Sequence, residues 1–244
     1  MPFKEGDMVL IEYSVFIKET GELVETTSET VAKLHKKYRE GEAYEPEAVV
    51  IGEGRFVEGF EEALKNAEVG RECEVDVPPE KAYGPRDRSK VKTFSRRVFI
   101  RNNIIPEVGK EVTINNVTGR IIAVEGGRVV VDFNHPLAGK TLKFKFKVLK
   151  KIEDVIEKVK YFIKRRLKKI NIDAINVTKD DERKAIIIEL PKEYRLADGI
   201  QIVKYLVSRD VIKWVPEVNE VVFTEKFTKE EFTGESGEQP EKAA

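Results

Sequence analysis

The chain has 244 residues, 41% hydrophobic and 36% charged, and its 44 basic and 44 acidic side chains cancel. This apolar content excludes a wholly disordered chain, and no apolar run approaches the ~18 residues of a membrane span. The balanced charge supplies no overall field for nucleic acid or a membrane surface. A single cysteine, Cys73, rules out an internal disulfide and fits a reducing cytoplasm. No basic-then-apolar leader points to export. Many Lys and Glu beside two Gln, two Met and one Cys resemble the composition of hyperthermophile proteins, so a thermophilic source is expected.

In chain order, residues 8–16 form an apolar, β-prone run, and Thr20-Gly21-Glu22 is a turn leading to Leu23-Val24. Residues 29–40 read as a short polar helix or loop excursion. A second β run, Ala48 to Ile51, ends at Gly52-Glu53-Gly54. A short helix is expected over about 60–67, with Gly70 suited to the chain reversal after it. Residues 72–77 alternate polar and apolar side chains until Pro78-Pro79 stops them. From Pro85 the texture changes, and residues 86–97 are dominated by Arg, Lys, Asp and Ser. Strands are then expected at 112–114, 120–124 and 128–133, the last two paired about Gly126-Gly127. Residues 142–148 alternate apolar residues with Lys, the pattern of a half-buried strand. Beyond 150 the rhythm is helical: Ile152, Val155, Ile156, Val159, Phe162, Ile163, Leu167 and Ile170 fall mostly at three- and four-residue steps. Strands at 174–177 and 185–190 around a turn at 179–181, a helix at 198–208 and a strand at 218–223 make residues 150–228 a separate α+β domain. The tail, 229–244, is expected to be disordered.

Three segments carry a family resemblance. They are Phe56-Val57-Glu58-Gly59-Phe60-Glu61-Glu62-Ala63-Leu64, then Val77-Pro78-Pro79-Glu80-Lys81-Ala82-Tyr83-Gly84, then the run from Asp132 through Asn134-His135-Pro136-Leu137 to Leu142. Together they resemble the FKBP family of peptidyl-prolyl isomerases, on its SlyD-like branch, where a second domain is inserted in the flap; with the C-terminal domain, the chain looks like a long archaeal FKBP. The resemblance implies an α+β fold: an FKBP-like antiparallel sheet with a short helix (1–86 and 133–149), a small β-rich insert-in-flap chaperone domain (87–132) and a C-terminal α+β domain (150–228). It also implies an apolar cup for a proline ring. Phe56, Val57 and Phe60 would form its floor and one wall, Tyr13, Val24 and Glu25 would come from the early strands, Tyr83 would stand at the rim and Phe144 would come from the final strand. The Val57 amide would bind the carbonyl after proline. Glu25 stands where the family usually has Asp, and Phe60 where it usually has Trp or another bulky apolar residue.

No cofactor is implied and no metal site is expected: His35 and His135 are the only histidines, and neither has Cys or His at ligand spacing. The expected partners are unfolded or partly folded polypeptides carrying X-Pro bonds, held by the insert through apolar residues drawn from Ile104, Ile105, Ile121, Ile122 and Val124, at least half of which are expected in its own core. Residues 150–169 carry nine Lys or Arg against three acids, with the acids early and most of the bases late, as the helix dipole favours. A solvated face is expected there rather than a nucleic-acid surface. By analogy with long archaeal relatives, a homodimer through the C-terminal domain is expected. Two other readings stay open: a non-catalytic module that holds unfolded chains with an impaired pocket, and a nucleic-acid binder.

Overall fold

The computed structural model describes residues 2–229 and 231, so nearly all of the tail expected to be disordered lies outside the described residues. Contacts divide the chain into two units, one comprising Met1–Glu5, Ile11–Pro46 and Ile51–Leu149, the other Gly6–Leu10, Glu47–Val50 and Lys150–Ala244.

The first sheet is built from β1 (Met8–Ile17), β2 (Leu23–Thr26), β3 (Glu47–Val50), β4 (Glu72–Val77) and β9 (Leu142–Ile152), in the order β2-β1-β9-β4 with β3 also pairing β1. β1 is buried along most of its length, as a central strand must be, whereas edge strand β4 alternates. The LKFKFKV pattern of β9 places Leu142, Phe144, Phe146 and Val148 in the interior. Its lysines face the acids of β4, with Lys147, Lys145 and Lys143 opposite Glu72, Glu74 and Asp76. The hydrogen bond and charge of Lys145 hold the Glu74 carboxyl below its usual range. Between the strands lie α1 (Glu29–Leu34), capped by Ser28, and α2 (Glu58–Lys65), which buries Phe60 and Leu64 one turn apart.

Between β4 and β9 the chain makes a second antiparallel sheet. It consists of β5 (Val91–Ser95), β6 (Glu111–Ile114), β7 (Val117–Glu125) and β8 (Arg128–Asp132), in the order β5-β8-β7-β6, with α3 (Arg96–Arg101) after β5. Phe99, Val112, Ile121, Val129 and Val131 form its core. Both tight hairpins have two turn residues at positive φ, Asn115-Asn116 and Gly126-Gly127. That backbone twist matches strand twist, and Asn and Gly adopt it most readily. β5 and α3 were not expected in the polar stretch 86–97. β5 is an edge strand whose outward residues are polar, and α3 starts at Ser95, whose hydroxyl accepts from the Arg97 N–H.

The other unit holds α4 (Val155–Arg166), β10 (Asn176–Asp180), β11 (Ala185–Glu189), α5 (Ile200–Trp214) and β12 (Glu220–Thr224). β10 and β11 form a hairpin, while β12 returns parallel to β11 after the α5 crossover. Val159, Phe162 and Ile163 of α4 and Val207 and Val211 of α5 share a core with Ile186, Ile188, Met8, Ala48 and Val50. Two expectations shift. Ile152 ends β9 instead of opening the helix, which begins after the Asp154 cap, and the expected turn at 179–181 begins later because Lys179 and Asp180 still pair with Ile186 and Ala185. Trp214 packs, partly buried, against the core. The basic end of α4 is not simply solvated: Arg165 and Arg166 reach Asp210, 3.4 and 2.5 Å away, whose side chain is only 3% exposed and which also accepts from Arg209.

Candidate active site

Five rings converge where α2 meets the first sheet. Phe60, fully buried, stacks on Phe144 at 4.2 Å and meets Phe56 and Phe146 edge-on at 5.1 Å each. Tyr13 meets Phe56 edge-on at 5.3 Å and lies 6.1 Å from Phe60. Period-two geometry explains the strand contributions: Phe144 and Phe146 share the inner face of β9. On the neighbouring hairpin, Glu25 lies opposite Val15, which puts it on the same face as Tyr13. The Tyr13 hydroxyl donates to Glu25 Oε1 at 3.1 Å.

Tyr13, Phe60 and Phe144 are buried, while Phe56 and Val57 are half-buried and reach the surface. Val24 stands exposed on β2. Val57 caps α2 in an extended conformation, and its carbonyl accepts from the Phe60 and Glu61 amides. The Phe56 N–H donates to Glu61 Oε1, whereas the Val57 N–H donates to no acceptor among the described residues. An unpaired amide at a helix start beside an aromatic wall is suited to receive a carbonyl oxygen.

Gly59 sets how close α2 comes to the sheet, since a Cβ there would lie 2.6 Å from Val77 Cγ1 and 3.3 Å from Lys81 Cβ. Phe56 also lines a cleft of about 400 Å³ with Glu5, Ile51 and Glu61, which the other four rings do not line.

Tyr83 is not part of the ring cluster. It is 43% exposed, and its ring stacks on His135 at 4.1 Å with 3° between planes. The two arms leading to the second sheet meet at this point. Gly139 N–H donates to Gly84 O at 2.8 Å, Arg86 pairs with Asp132 at 2.6 Å, and Asn134 exchanges two hydrogen bonds with the backbone of Asp87. Burial pushes the Asp132 carboxyl upward, but the Asn134 hydrogen bonds and Arg86 outweigh it and hold the group below its ordinary value.

The sequence reading missed Phe146, although it shares its β9 face with Phe144, and it gave His135 no role. Of the five apolar residues considered for the second sheet, Ile121 is core and Ile104 and Val124 pack on that core, while Ile105 and Ile122 are exposed. No cluster of His, Cys, Asp and Glu suited to a metal ion occurs among the described residues, and no described helix is long and apolar enough to cross a membrane.

A sheet packed on a short helix around a cluster of aromatic rings, with a second sheet carried between β4 and β9, defines an α+β domain with an inserted module. Residues 97–137 match the family model described as the FKBP26 IF domain, and residues 155–228 match that of the FKBP26 C-terminal region. The chain is 39% identical over 145 residues to a short-type peptidyl-prolyl cis-trans isomerase of Methanocaldococcus jannaschii, an alignment spanning 59% of this chain and 91% of the relative. It is 33% identical over 149 residues to the FKBP-type isomerase SlyD of Treponema pallidum, covering 58% of this chain and 73% of the relative. With SlyD of Helicobacter pylori, identity is 38% over 110 residues, 43% of this chain and 58% of the relative. The chain belongs to the FKBP-type family of peptidyl-prolyl cis-trans isomerases, on its SlyD-like branch, and is an enzyme of that type.

Proposed function

We propose that the protein accelerates proline-limited folding, with its isomerase domain (1–86 and 133–149) turning X-Pro bonds in chains that the insert (87–132) holds. The observation that carries this reading is the aromatic cup lying beside the unpaired Val57 amide. In it Tyr13, Phe56, Phe60 and Phe144 hold the proline ring, the Val57 N–H binds the carbonyl that follows, Glu25 fixes the Tyr13 hydroxyl and Tyr83 steadies the bound backbone from the rim.

Amide resonance sets a barrier of ~18–20 kcal/mol. Rotation localises the nitrogen lone pair and weakens the carbonyl dipole, so a site that strips water from the imide favours the twisted state over either planar one. Clamping the ring and the following carbonyl adds to that preference. No nucleophile or proton donor is required.

Exposed Ile100, Ile105, Val108 and Val117 support the insert as the client-holding surface. Tethering it beside the cup raises the local concentration of substrate prolines. The C-terminal domain (150–228) joins two copies in this reading, supported by the exposed Ile202, Tyr205 and Ile212 along one face of α5. A single-chain mass in solution would remove the dimer. The lone cysteine supports action in the cytoplasm.

The test is refolding of a proline-limited protein by catalytic amounts of enzyme. Replacing Tyr83 and Phe60 together should slow it, and an unchanged rate would remove the pocket assignment. Deleting 87–132 should spare turnover of a short proline peptide while lowering turnover of an unfolded protein. A chain that only holds clients would instead suppress aggregation at stoichiometric amounts with no turnover.

A further inference from the structure

The hydroxyl of Tyr83 donates to no acceptor among the described residues, and its only ring contact there is His135. A half-exposed phenol without such a support samples several rotamers. His135 is itself fixed from several directions. Its Nδ1 accepts from the Leu137 N–H at 3.2 Å, so the ring proton sits on Nε2, and its carbonyl accepts from the Ala138 N–H at 2.9 Å. The preceding Asn134 is pinned to Asp87 on the opposite arm by both of its amide atoms, at 2.9 and 2.8 Å.

We propose that His135 is a positioning residue for Tyr83: the imidazole, oriented by the Leu137 amide and carried on the bonded arms of the insert, sets the plane of the phenol at the rim of the proline cup. The inference rests on the reading of Tyr83 as a rim residue that steadies bound backbone. A hydroxyl that steadies planar and twisted substrate alike contributes uniform binding, whose loss raises KM and leaves kcat in place. Aromatic stacking of ordinary strength corresponds to an effect of about three- to ten-fold.

The experiment measures kcat and KM of the full chain on a proline tetrapeptide for His135→Ala, His135→Phe, Tyr83→Phe and the double variant Tyr83→Phe/His135→Ala. His135→Ala should raise KM by about three- to ten-fold with kcat unchanged. His135→Phe, which keeps a flat ring against Tyr83, should recover most of that loss. In the Tyr83→Phe background, His135→Ala should add little, because residues acting through one group are not additive. A wild-type KM in His135→Ala, or full additivity in the double variant, overturns the proposal. If Tyr83→Phe alone has wild-type KM, the rim reading itself fails, an outcome distinct from the other two. An equal loss in His135→Phe and His135→Ala would show that the loop, and not the ring stack, is what matters, and would also overturn it.

Discussion

Replacing Gly59 by Ala tests how the close approach of α2 to β4 supports the proposed cup. The added methyl would lie 2.6 Å from Val77 Cγ1, 3.2 Å from Cγ2 and 3.3 Å from Lys81 Cβ. Carbon contacts are ordinary at about 3.5–4.0 Å, so α2 and β4 must part by roughly 0.9 Å or more. Val77 cannot easily yield, being only 1% exposed and paired with Leu142 across the sheet. Overpacking of this kind costs about 1–3 kcal/mol, and the gain in helix propensity from Gly to Ala offsets about 1 kcal/mol. The net expectation is a loss of up to about 2 kcal/mol, or up to roughly 8 °C in the transition of this unit by scanning calorimetry. Because Val57 lies two residues before Gly59 and Phe60 directly after it, displacement of α2 also moves the unpaired Val57 amide and the floor of the proposed cup. Peptide isomerisation should therefore fall even where the protein stays folded. Adding Val77→Ala removes the clash, so the double variant should be no less stable than Val77→Ala alone. A Gly59→Ala protein with the stability and activity of the parent would refute this account.

Two other perturbations read separate parts of the molecule. The Asp132 carboxyl sits below its ordinary value of 3.8 in the folded state, so its contribution is complete above that value and is lost as pH falls through the lower, folded one. Protection of the Phe133, Asn134 and Gly139 amides, taken relative to the intrinsic exchange rate at each pH, should fall on acidification below about pH 4, and Asp132→Asn should abolish this step; a wild-type acid profile in the Asn variant would count against the arm contacts. Asp210→Ala leaves Arg165, Arg166 and Arg209 facing one another around a buried site. It should destabilise the C-terminal domain by about 3–5 kcal/mol in chemical denaturation, and an unchanged midpoint would show that those arginines find water instead.

Most strands were legible because apolar alternation and turn residues agree at the same positions. The run 142–148 announces its inner face, and Gly126-Gly127 announces a hairpin. Asn115-Asn116 makes the same kind of turn with a weaker signal, since Asn also fills ordinary loops. β5 was hidden because an edge strand on a small core needs few apolar residues. In the cup, the aromatic residues were found through motif resemblance, but their mutual geometry was not. That Glu25 meets the Tyr13 hydroxyl depends on the pairing of Val15 with Glu25, which is a matter of register. The convergence of three arginines on Asp210 depends on how α4 packs against α5, and the helical period of either segment alone gives no sign of it.

The place of β9 has a consequence for biosynthesis. It lies between β1 and β4 in the first sheet, yet it follows the inserted module in the chain. A ribosome therefore delivers the whole module before the strand that completes the first sheet can emerge. Three of the module's four strands, β6, β7 and β8, are sequence neighbours joined by tight hairpins and close quickly, and β5 joins β8 within the module, whereas β4 must wait for its partner β9 more than sixty residues downstream. During translation the inserted module is thus finished first, attached to a first sheet that is still incomplete.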